Sequence, residues 1–292
     1  MSPDIDFDVT TGATAPAADG PPVESADARL REIREHMSRI PEGRRLLEFA
    51  DRNGIRIELD SSLPPHTYGD FAPYRDGRQV VRLNAGATAV DQAFYAFHEL
   101  RHAEQYHATG SNYAAWHARF FDPGSELLRS RILETDAHVY QVAAAAQLRD
   151  AGHPEMYERM RVMAEQGNTG VRAAVEFLDR HPPSSFPDES AMHRALFDTI
   201  YRQGLPHYNT IYFQDTVDTL GRLTPEQFQA SVDRGRQAPP LLTDGNLARI
   251  SEIGGRSYLD GATMEGLRGD MQATMTTAER ALLQEAGRFS QS

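Results

Sequence analysis

Five residues, His98-Glu99-Leu100-Arg101-His102, concentrate the chemistry that this chain can offer. They spell HExxH. On a helix, positions i and i+4 share a face, so both imidazoles can reach one metal ion. Glu99 lies about 100° round the helix from His98, where its carboxylate can hold a water beside that ion. Two neutral imidazoles leave a divalent zinc a strong Lewis acid, and the carboxylate can take the water's proton. This is the working core of a metal-dependent hydrolase, usually a peptidase. The plainer alternative is a soluble helix that happens to carry two His and a Glu, so the surrounding residues must decide.

They favour a metal helix. Thr88 followed by Asp91 has the form of a helix N-terminus with a short capping box. Val90, Ala93, Phe94, Ala96, Phe97 and Leu100 then predict an apolar helix, and Gly110 offers its stop. A catalytic zinc usually takes three protein ligands. A third His placed as in HExxHxxGxxH is excluded, because the chain has Gln105 and Ala108 at the required positions. His107 is one position short, points away from His98, and reads as a surface residue. The other source is a following helix that opens near Asp122-Pro123-Gly124-Ser125, capped by Asp122 or Ser125, and closes at Gly152. It carries Glu134, Asp136 and His138. Glu134 and His138 share a face, and Asp136 lies roughly 160° round from Glu134. Glu134 is the preferred third ligand. His138 is then a group that contacts Glu134 or substrate, and His138 and Asp136 stay open as alternative ligands.

These residues resemble the zincin metallopeptidases of the gluzincin type, with HExxH on one helix and Glu on the next. They look most like bacterial metallopeptidases of unassigned function in which HExxH is followed by an E-x-D-A-like helix; Glu134-Thr135-Asp136-Ala137 fits that pattern. The resemblance covers about residues 54–150. It implies that His98, His102 and Glu134 bind zinc and that Glu99 is the general base. It also implies a sheet-edge strand lining the cleft, for which Val80–Asn84 is the candidate, with an inner strand as the alternative. One departure matters. Thermolysin-like gluzincins carry Asp four residues after the Glu ligand, where it orients the first His. Here that position is His138, so the partner of His98 is unassigned. Zincins also steady the oxyanion with a group from the C-terminal half. His207, Tyr208 and Tyr212 form the best cluster for that role, and His66 and Tyr68 are weaker candidates. Arg101 reads as a surface or ion-paired residue.

Composition narrows the partners. The chain has 292 residues, 40 % hydrophobic, and a net charge of −12, which argues against nucleic acid or an anionic membrane as the main partner. It has no Cys, so disulfides and thiol chemistry are excluded. No apolar stretch is long enough for a transmembrane helix, and Met1–Asp6 shows no signal-like segment. All thirty basic residues are Arg. A GC-rich coding sequence is one explanation. Avoidance of ubiquitin attachment inside a eukaryotic cell is the other. With a disordered leader, the second suits a bacterial cytoplasmic protein translocated into a host as an effector, with a host protein as its target; the leader equally suits an ordinary frayed terminus.

The organisation expected is α+β and mostly helical, with a small antiparallel sheet, the HExxH helix and a helical C-terminal half. Residues 1–25 read as a disordered leader. Residues 26–152 form the zincin-like half, with helices from Ser25 and Pro41, strands at 55–59 and 79–83, and a hairpin signal at Asp76-Gly77. Residues 153–237 read as helices broken at His181-Pro182-Pro183, and 238–292 as a polar, helical or partly ordered tail. Two functions follow from different classes. One is a zinc-dependent peptidase acting on a protein or peptide. The other is a non-catalytic helical binding scaffold with a degenerate zincin-like half.

Overall fold

The computed structural model describes residues 25–75, 78–109, 123–166, 169–203, 222–224, 226–227, 229–230, 242–277, 280–281 and 284. Helix α1 (Ala26–Ser38) opens at Ser25, whose hydroxyl oxygen accepts a hydrogen bond from the Ala28 N–H at 3.2 Å. Helix α2 (Pro41–Arg52) starts on proline, where a missing N–H costs no hydrogen bond. Gly43 lets α2 cross the end of α1, since a Cβ there would overlap the Met37 carbonyl.

Three strands follow: β1 (Arg56–Asp60), β2 (Gly69–Arg75) and β3 (Arg78–Asn84). Their order is β1-β3-β2. β3 runs parallel to β1 and antiparallel to β2. The expected antiparallel sheet is therefore mixed, and the Val80–Asn84 strand is its centre rather than its edge. The cause is burial: Val80, Val81 and Leu83 are all removed from solvent, which suits an inner strand. β2 has the marks of an edge. It contains Pro73, which has no N–H to give a neighbour, and its register with β3 shifts between Ala72 and Arg75.

Helix α3 (Ala89–Ala108) packs on β2 and β3 on one side and on α4 (Pro123–Asp150) on another. It also touches α1, α2 and α5 (Glu155–Glu165). It is buried round nearly its whole circumference, as a helix at the centre of a core must be. The Thr88 cap forms as expected: Oγ1 accepts from the Asp91 N–H at 3.1 Å and donates to Asp91 Oδ2 at 2.9 Å. α4 carries α5 and α7 (Glu189–Gln203), while α6 (Thr169–Arg180) packs on α5 and α7. Gly152, at φ +89°, turns the chain out of α4.

Residues 242–277 hold α8 (Asp244–Ile250), a two-stranded ribbon of β4 (Glu252–Ile253) and β5 (Arg256–Ser257), and α9 (Met264–Thr274). Leu247, Ile250, Ile253, Tyr258, Leu259, Leu267 and Met271 are buried in the main core. The fold is thus α+β and mostly helical. No helix among the described residues is long and apolar enough to cross a membrane.

Candidate metal centre

His98 and His102 lie one turn apart on α3, and α4 brings Glu134 to them. The two Nε2 atoms are 3.0 Å apart. Glu134 Oε2 is 3.4 Å from His98 Nε2, and Oε1 is 3.4 Å from His102 Nε2. One ligand atom from each residue lies within 4.8 Å of the others. Ligands bound to zinc at about 2.0–2.1 Å in a tetrahedral arrangement stand about 3.4 Å apart. The three donors therefore fit a tetrahedral cation with one position left over. Their chemistry suits zinc too, since two imidazoles and one carboxylate make a borderline-soft set.

The electrostatics favour a cation. Burial raises the cost of charging Glu134, but His102 and His98 beside it hold its carboxyl well below the usual carboxylate range. Burial also pulls His102 down, and the carboxylates of Glu134 and Glu99 outweigh it, leaving His102 pushed up to about 9. His98 goes the other way, lowered by burial and by the neighbouring His102. A carboxylate held in its charged form thus faces two imidazoles, in a site that a divalent ion could take over.

His102 is held from behind. Its Nδ1 lies 2.8 Å from Gln105 Oε1. Gln105 Nε2 donates to Leu133 O at 2.8 Å and to Asp136 Oδ2 at 2.6 Å. Asp136, fully buried, also accepts from Arg101 Nε at 2.7 Å and Nη2 at 3.2 Å. Arg101 lies 3.8 Å over the Tyr140 ring and donates to Glu104 at 2.8 Å. Of the two expectations for Arg101, the structure has the ion pair, and the residue is buried rather than on the surface.

The other candidates are sorted by the same geometry. Asp136 faces Arg101 and Gln105, outside the group of three. The His138 ring lies against that of His98, centroids 4.6 Å apart and planes tilted by 56°, with Nδ1 3.2 Å from Gln141 Oε1. Burial, then His98, pushes His138 down to about 3, so it stays neutral. Among the described residues, Nδ1 of His98 has no hydrogen-bond partner. His107, read as a surface residue, is half-buried, with Nε2 2.8 Å from Gln79 Oε1 and its ring edge-on to Phe49. Tyr68 stacks on Tyr95 at 4.6 Å. His207, Tyr208 and Tyr212 lie outside the described residues. Glu99 is buried, and Gly69 at the start of β2 faces it: a Cβ at 69 would stand 3.1 Å from Glu99 Cγ.

Gln105, Gly69 and Tyr258, whose hydroxyl donates to Asp136 Oδ1, escape the sequence reading. Gln105 carried a signal, standing three residues after His102 on a helix. Gly69 and Tyr258 carried none, because their roles come from distant segments.

A helix-borne HExxH with a carboxylate supplied by the next helix is the donor set of a metal-dependent hydrolase. Comparison with known families agrees at that level. A family model described as "Putative metallopeptidase family (DUF6782)" matches residues 7–220, and the chain belongs to this family. The match spans every element from α1 to α7 and stops before α8. No curated protein and no solved structure matches the chain.

Proposed function

We propose that this chain is a zinc-dependent peptidase of the gluzincin type, cleaving a peptide bond in a protein or peptide. The observation that carries the reading is the convergence of His98, His102 and Glu134 beside Glu99 on a buried helix. Zinc held by those three residues would supply Lewis acidity, polarising the scissile carbonyl and making water a better nucleophile. Glu99 would take the proton of the attacking water and pass it to the leaving amine. The buried position of Glu99 against Gly69 supports this role, because it limits where the carboxylate can swing. β2 is the edge strand beside Glu99, so an extended substrate would add to β2. This replaces the Val80–Asn84 strand in that role. His207, Tyr208 or Tyr212 would steady the oxyanion. The absence of Lys supports a protein that acts inside a host cell, with a host protein as substrate.

The test is Glu99→Gln. Peptidase activity should fall by about 10³-fold with bound zinc unchanged. Activity equal to wild type would sink the assignment of Glu99. A wild-type chain that takes up no zinc would leave the binding-scaffold reading in its place.

A further inference from the structure

Zinc needs Nε2 of His102 bare, and so the proton on Nδ1. That tautomer is selected by Gln105, but only while its amide points one way: Oε1 toward His102 and Nε2 away. Two acceptors, Leu133 O and Asp136 Oδ2, fix that direction. Leu133 O is α4 backbone. Asp136 is a buried side chain, and what holds it comes largely from elsewhere. Its Oδ1 accepts from the hydroxyl of Tyr258, which follows β5. Its other partner, Arg101, donates through Nη2 to the carbonyl of Ile250 at the end of α8. Tyr258 and Ile250 are both buried, at 3 % and 1 % exposed. Both lie beyond the residues that the family match covers.

We infer that the segment 242–277 completes the metal site, with Tyr258 as a positioning residue that acts on His102 through Asp136 and Gln105. The inference rests on the metal reading above. Without the Tyr258 hydroxyl, Oδ1 of Asp136 loses a buried donor and keeps the 3.2 Å bond from Arg101 Nη2, so the carboxylate can tilt about its shorter bond from Arg101 Nε. Gln105 keeps Leu133 O, but its second acceptor is displaced, which weakens the bias against the flipped amide that would present Nε2 to His102 and favour the wrong tautomer.

The experiment uses the full chain with three substitutions. Zinc affinity is measured by chelator competition, and the absorption spectrum is recorded after loading with cobalt(II). Tyr258→Phe should bind zinc about tenfold more weakly and shift the cobalt bands; Gln105→Ala should lose about 10–100-fold. The control is Tyr201→Phe. It removes another hydroxyl that ties this segment down, the 2.8 Å bond from Tyr201 to Leu267 O, but touches nothing in the relay. It should keep wild-type affinity and spectrum. Tyr258→Phe indistinguishable from wild type in both readouts would overturn the inference while leaving the metal reading standing. Equal losses in Tyr258→Phe and Tyr201→Phe would also overturn it, because Tyr258 would then be a docking contact only. No zinc uptake by wild type would overturn the metal reading itself, and this inference with it.

Discussion

Nε2 of His98 and Nε2 of His102 stand 3.0 Å apart, closer than two protonated imidazoles could tolerate in a buried site. One proton or one cation must lie between them. On the metal reading that occupant is the cation, and purified wild-type protein should carry about one zinc per chain. His98→Ala and Glu134→Ala should each lose it, as read by plasma mass spectrometry. Loss in His98→Ala alone would move the third ligand to His138 or Asp136.

Gly69 is the point where β2 passes closest to Glu99. A methyl group there meets Glu99 Cγ at 3.1 Å, Arg82 O at 3.2 Å and Leu83 Cδ2 at 3.3 Å. Only the Glu99 and Leu83 side chains can yield readily. Gly69→Ala should thus shift the carboxylate by a few tenths of an ångström and lower kcat/KM by about 10–100-fold. Zinc content should not change. Full activity in a folded Gly69→Ala protein would remove β2 from the working side of the cleft.

Asp136 is held by Arg101, Gln105 and Tyr258 with no exposure to water. Removing one partner of a buried ion pair strands the other. Asp136→Ala should cost about 3–5 kcal/mol in denaturant unfolding. A loss under about 1 kcal/mol would mean that this network contributes little.

His193 on α7 gives the fold an acid-sensitive point. Its Nδ1 donates to Glu189 O at 2.8 Å, its Nε2 is buried, and its ring lies between those of Tyr140 and Tyr258. Burial, helped by Arg101 and Arg45, pushes it down to about 4, against partial opposition from the Glu189 carbonyl and Asp136. The sign follows. Between about pH 6.5 and pH 4 the unfolded chain binds a proton at His193 that the native chain refuses, so stability falls as pH falls through that window. From pH 6.5 to pH 5 the loss from this group is about 1.5 kcal/mol. His193→Gln should show a shallower decline than wild type in urea unfolding over that range. Parallel curves would show that His193 titrates normally.

The HExxH helix was legible in the sequence because its signals are local. Thr88 caps it, the apolar positions pace it, and HExxH needs only the 3.6-residue turn to bring its histidines together. Glu134 was legible for the same reason, once a second helix was allowed. The sheet was harder. Strand β2, with Pro73 and a register shift, has no clean alternation, so its place as the edge beside Glu99 could not be read. Parallel pairing of β1 with β3 is a contact between strands whose partner residues stand 24 positions apart, and no local pattern encodes it. Tyr258 lies in a stretch whose elements are too short to show a period. Its role depends on where that stretch docks.

The bond from Tyr258 to Asp136 joins residues 122 positions apart in the chain. During synthesis, at about 5–20 residues per second, His98, His102 and Glu134 exist for several seconds before Tyr258 does. A metal site finished by a later-made segment has a built-in delay: the nascent chain carries His98, His102 and Glu134 while the clamp that orients His102 is still unmade. For that interval the nascent chain would hold its metal more weakly than the finished fold.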